Sequence, residues 1–205
     1  DDRWWMEISS VWMEDKVYDY VDDYLAYLPS FFNAPGVPLD EFNGQHEYGS
    51  GIWAMFLDQK YGADIEQSIW EYCATKKALQ AMETALADRG YNLAEAFRTF
   101  TVWNYFTGSR ANQALYYEEG AKYPMVAFKN RHIQYPASGE GTIDHLAANY
   151  IGFKPEGTTG TLYTSFSGAP AAWGLVVIGF QSATVHTVDQ IDLNAGYQGS
   201  HATPN

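Results

Sequence analysis

In the first half of the chain, apolar residues return every three or four positions. Trp4, Ile8, Val11, Tyr18, Val21, Leu25 and Leu28 follow this rhythm, with Asp15, Asp19, Asp22 and Asp23 mostly opposite. That spacing predicts one helix from about Arg3 to Tyr27, ended by Pro29. Residues 29–46 are rich in Pro, Gly and Asn and read as a long loop, the kind that borders sites. A second helix is expected from Tyr48 through Ile52, Trp53, Met55, Phe56 and Leu57 to Gln59, with Gly62 stopping it in a left-handed conformation. Asp64 opens a third, with Ile65, Ile69, Trp70 and Cys73 turned inward. Residues 76–88 make a fourth, closed by Gly90. Asn92 is placed to cap a fifth, with Glu95 three residues on. That helix carries Leu93, Ala96, Phe97, Phe100, Val102, Trp103 and Phe106. Residues 111–119 add a short turn.

After Tyr123-Pro124 the pattern changes to short runs of β-branched and aromatic residues. Residues 126–128, 147–153, 161–166, 173–180 and 184–188 read as strands. Gly157-Thr158-Thr159-Gly160 and Ser167-Gly168-Ala169-Pro170 read as the turns between them. The expected class is therefore α+β: a helical lobe over 1–122, then an antiparallel, β-sandwich-like domain over 123–205.

Charge sharpens the division. Residues 1–120 hold 20 Asp and Glu against 8 Lys and Arg, and residues 121–205 hold 5 against 4. The overall formal charge of −13 argues against nucleic acid and anionic membranes as partners. Cys73 is the single cysteine, so no intrachain disulfide forms. No apolar run approaches the roughly 20 residues that span a bilayer. The Asp1-Asp2-Arg3 start, without Met, reads as a cut or mature terminus. The aromatic richness of residues 150–180 fits either sandwich packing or a carbohydrate-binding face.

Candidate chemistry centres on the opening helix. Glu7 and Glu14 are seven residues apart, which puts both carboxylates on nearly one helical face. Trp5 and Trp12 repeat the spacing beside them, as in a cleft wall. No H-E-x-x-H pair exists: His46-Glu47 begins one, but Ser50 stands where the second histidine belongs. No Gly-rich phosphate loop and no G-x-S-x-G elbow occur. His46 is expected to be an exposed loop residue, and Cys73 a buried, inert thiol.

The stretches Trp4-Trp5-Met6-Glu7 and Val11-Trp12-Met13-Glu14-Asp15 resemble the downstream ligand helix of secreted bacterial gluzincin-like zinc metalloproteases. There a helix after H-E-x-x-H supplies a zinc-binding Glu, and a second acid follows by seven. Tyr48-Gly49-Ser50-Gly51 resembles a helix start whose tyrosine stabilises the oxyanion, with Ser50 in place of Lys. Ile143 to Ile151 is similar to the entry strand of the β-domain in the same group. The resemblance implies that Glu7 ligates zinc and Glu14 fixes the helix or a ligand histidine. It implies that Tyr48 stabilises developing negative charge, and that the substrate is a polypeptide cut outside the cell. It also places H-E-x-x-H upstream of Asp1, which leaves this chain inactive by itself. The alternative is an extracellular structural or adhesive protein that self-associates through aromatic surface on a protease-like scaffold.

Overall fold

A computed structural model of the chain describes residues 2–154 and 160–204. Most of the expected Gly157 to Gly160 turn lies outside these. Helices fill the first half: α1 (Arg3–Val17), α2 (Leu28–Phe32), α3 (His46–Gly49), α4 (Ile52–Tyr61), α5 (Asp64–Cys73), α6 (Ala78–Ala87) and α7 (Leu93–Tyr105). Short 3-10 turns follow at Gly108–Arg110 and Gly120–Lys122.

The opening helix is shorter than its apolar rhythm predicts. It stops at Val17, and a 3-10 turn at Asp23–Ala26 carries the chain onward. Glu14, Asp15, Asp19, Asp22 and Asp23 crowd this point. Carboxylates at a helix C-terminus meet the negative end of its dipole and one another. Tertiary contact offers no compensation, since residues 18–23 are exposed. Pro29 likewise begins a helix instead of ending one: it sits in the first turn of α2, where its missing N–H costs nothing. Gly62 has the expected positive φ, +98°, but its ψ of 148° is extended, not left-handed helical.

The local signals around α7 are obeyed. Asn92 Oδ1 accepts the Glu95 backbone N–H at 2.9 Å. One face of α7 then joins an aromatic core. The Trp53 and Phe100 rings meet edge-on at 5.0 Å, Phe56 and Trp103 at 5.2 Å, and Trp103 and Tyr117 at 5.0 Å. Such pairs add about 0.5–1.5 kcal/mol each beyond area burial. Tyr117 keeps its buried hydroxyl satisfied by donating to Asn104 Oδ1 at 2.8 Å.

Among the described residues, the second half forms three two-stranded ladders. Strands β1 (Asn130–His132) and β2 (Ile151–Phe153) pair in parallel, against the antiparallel expectation. Strands β3 (Thr161–Ser167) and β6 (Gln198–Pro204) pair antiparallel, as do β4 (Leu175–Ser182) and β5 (Val185–Ile191). The run at 126–128, expected to be a strand, is irregular. Val126 is buried in the helical core instead, and the Ala127 N–H donates to the Phe32 carbonyl at 2.8 Å. The stretch up to Tyr150 also leans on the helices. Ala148 N–H reaches Pro35 O at 2.7 Å, and the Tyr150 hydroxyl reaches Thr101 O at the same distance. At the other end Tyr116 and His186 join the β4/β5 ladder to the helices, with Oη to Nε2 at 2.9 Å.

Candidate functional site

Glu7 and Tyr48 come together. Glu7 is half-buried on α1, and the Tyr48 hydroxyl, on α3, lies near enough for the carboxylate's charge to act on it. The Glu7 charge is the main reason that the Tyr48 hydroxyl titrates above its usual value of 10.0, with burial and Glu47 adding to it. The Tyr27 ring lies 5.5 Å from that of Tyr48 and extends the aromatic side of this edge.

Two close approaches build the contact. A Cβ on Gly49 would stand 2.7 Å from Tyr27 O and 2.9 Å from Phe31 N, so glycine lets α3 press onto α2. A Cβ on Gly51 would stand 2.6 Å from Val11 Cγ1, so glycine brings the start of α4 onto α1. The Gly-Ser-Gly run after Tyr48 is thus a packing device that sets the tyrosine beside α1.

The loop ahead of α3 is tied down by Glu47. Its carboxylate accepts the Gly44 N–H at 2.8 Å and the Asn43 N–H at 3.2 Å. Gly44, at φ +90°, makes the turn that aims both donors. On the far flank the Arg3 guanidinium lies over the Phe42 ring at 4.4 Å.

Other expectations for this region change. Trp5 and Trp12 do not wall a cleft beside Glu7. Both are buried on the opposite side of α1. The Trp12 indole donates to Asp58 Oδ2 at 3.1 Å, and Trp70 donates to Ser9 Oγ at 3.1 Å. Trp70 is 42% exposed rather than inward-facing, because its ring lies across the outside of Trp5. Glu14 is exposed, and no side-chain partner meets it among the described residues. His46 is not exposed. It is 3% accessible, its ring is 5.4 Å from that of Phe31, and burial lowers its pKa, which keeps it neutral. Cys73 is only half-buried, yet burial and nearby Asp2 raise its pKa and make it a poor nucleophile at neutral pH.

One ionisable group escaped the sequence reading. Glu66, on α5, is 1% exposed, and neither carboxylate oxygen has a hydrogen-bond partner. Its place one residue after Ile65 was the available signal, and a lone acid beside an apolar face is not specific enough to flag.

No group of three His, Cys, Asp or Glu side chains converges to hold a metal ion among the described residues. A catalytic zinc needs about three protein ligands. Glu7 contributes one carboxylate. No described helix is long and apolar enough to cross a membrane.

The described elements define a mixed protein, with helices first and mainly antiparallel strands after. No known protein family, no curated protein and no solved structure matches the chain.

The Glu7–Tyr48 contact can be tested directly. In Glu7→Gln, Tyr48 loses the negative neighbour that raises its pKa. Its titration, followed by NMR of ring-labelled tyrosine, is expected to move down toward 10.0, the ordinary value. An unmoved titration would show that the two groups do not touch.

Proposed function

We propose that this chain is part of a secreted, gluzincin-like zinc metalloendopeptidase, with the Glu7–Tyr48 edge as one wall of its peptide-cleaving cleft. The observation that carries this reading is the nearness of a half-buried carboxylate on α1 to a tyrosine hydroxyl on α3, close enough for the Glu7 charge to raise the Tyr48 pKa. Those are the two groups the resemblance assigns to metal binding and to oxyanion stabilisation. In this role Glu7 supplies one carboxylate ligand. Tyr48 donates to the negative charge that develops on the substrate carbonyl oxygen. Glu14, exposed two turns along α1, orients a ligand histidine carried outside residues 1–205. Because the remaining ligands lie outside this chain, no chemical step is assigned to it alone. The β3/β6 and β4/β5 ladders pack as a sandwich-like accessory module. Thr203 of β6 supports that arrangement, since its Cγ2 stands 3.6 Å from where a Cβ on Gly179 of β4 would lie.

A second reading is an extracellular structural or adhesive protein. Exposed Tyr163, Val185 and Val188 on two-stranded ladders favour it. One experiment separates the two: the complete gene is sequenced, and its product is analysed for zinc and by light scattering. The protease reading expects an encoded H-E-x-x-H segment and about one zinc per chain, lost in Glu7→Gln. Metal-free oligomers encoded without that segment would overturn it and support the structural role.

A further inference from the structure

We propose that the outer face of the β3/β6 ladder binds a neutral saccharide, with Tyr163 as the ring on which a sugar stacks. Strand β3 alternates between exposed and half-buried positions, and Tyr163 points outward at 79% exposure. A large side chain on an antiparallel ladder is ordinarily covered by the residue directly opposite. Here that residue is Ala202, and the flanking outward positions on β3 are Thr161 and Ser165. All are too short to cover the ring. Tyr163 has no ring or hydrogen-bond partner among the described residues. Its flat face is left open beside a shallow groove of about 420 Å³ lined by Tyr163, Thr164, Ser165, Ser200, His201 and Ala202.

The chemistry of this face selects the ligand. Thr161, Ser165, Ser200 and Gln198 supply hydroxyl and amide groups around the ring, and none of them is charged. Thr164 and His201 occupy the alternate positions, where His201 approaches Asp189 of β5 at 3.7 Å. In a chain of formal charge −13, an uncharged face that pairs one aromatic ring with a rim of small polar groups complements a neutral polyhydroxylated ligand. The C–H face of a sugar ring meets the electron-rich face of the phenol, and its hydroxyls meet the rim. The groove has room for roughly one or two sugar rings. A proline-rich peptide docks in an aromatic-lined groove, which a single isolated ring does not provide. Anionic lipid and phosphorylated ligands find no lysine or arginine here, and the one histidine of the lining, His201, faces the Asp189 carboxylate at 3.7 Å. The inference does not depend on the Glu7–Tyr48 reading.

Isothermal titration and amide NMR of the full 205-residue chain test it. The probes are neutral hexasaccharides of β-linked glucose, xylose, mannose and N-acetylglucosamine. At least one is expected to bind saturably, with shifts confined to β3 and β6. Tyr163→Ala should weaken that binding at least tenfold, and Tyr163→Trp should retain it. Tyr20→Ala, at an equally exposed tyrosine outside the ladder, should leave it unchanged. An unaltered melting curve of Tyr163→Ala establishes that the fold is intact. The proposal is overturned if none of the four sugars binds, or if binding survives Tyr163→Ala. It is equally overturned if a proline-rich decapeptide or lipid vesicles bind at Tyr163 while the sugars do not.

Discussion

Gly49→Ala is expected to destabilise the protein by about 3 kcal/mol, at the upper end of the cost of overpacking. The added methyl would stand 2.7 Å from Tyr27 O and 2.9 Å from Phe31 N. Both are backbone atoms, so no rotamer change relieves the clash. The Ser30 hydroxyl, closer still, is held by Tyr27 O at 2.7 Å and Gln45 O at 3.0 Å. The helices α2 and α3 must part, and Tyr48 moves with α3. Two readouts should therefore change together. The urea midpoint falls, and the Tyr48 titration drops toward its ordinary value as the hydroxyl leaves Glu7. A stable variant with an unshifted Tyr48 would show that the close approach at Gly49 does not position the site.

Replacing Glu66 is expected to work in the opposite direction. A carboxylate buried without a partner opposes folding, and the nearby charge of Asp58 adds to the cost. Burial first, then Asp58, raises the Glu66 pKa well above 4.5. The folded state therefore holds a proton that the unfolded chain releases. For this group stability is highest below about pH 4.5 and declines as pH rises toward the folded-state pKa. Across that window the decline approaches tenfold in the folded-to-unfolded ratio per pH unit. Asp15 acts in the same direction over a narrower span. Its pKa is pushed up to about 6, chiefly by burial and then by Glu119, Asp19, Glu118 and Asp22. Glu66→Leu should stabilise the chain by about 2 kcal/mol at pH 8, and by much less at pH 5. Thermal melts of both proteins at the two pH values check this. A gain that is equal at pH 5 and pH 8 would mean that Glu66 is not the titrating group.

Both residues lie on elements whose existence the sequence announces, yet neither effect can be read from it. Glu66 sits on a helix that Ile65 and Ile69 mark plainly. Whether the acid between them meets water depends on where α4 and α1 pack. Glycines after Tyr48 look like a helix-start motif, and their purpose emerges only when α2 and α1 are seen against them. His46 reads as an exposed loop residue because its neighbours Gln45, Glu47 and Asn43 are polar. It is buried because the Glu47 carboxylate folds the preceding loop back through Asn43 and Gly44.

The sequence alone determined the features whose physics is local. Three- and four-residue periodicity marks α4 to α7, the Asn92 cap is a side chain bonding its own helix, and short runs of β-branched and aromatic residues mark β3 to β5. The α+β order of the chain follows from these. Tertiary structure decided the rest. It stopped α1 at Val17, turned Pro29 from an end into a beginning, and paired β1 with β2 in parallel. It also supplied β6, whose Gln-Gly-Ser-His-Ala-Thr-Pro run has little strand character of its own and is held by its ladder with β3. Above all it joined Glu7 to Tyr48. Helical phase fixes which way each side chain leaves its own helix. Their meeting depends on how closely two backbones approach, and that distance is set by glycines and core packing far from either residue in sequence.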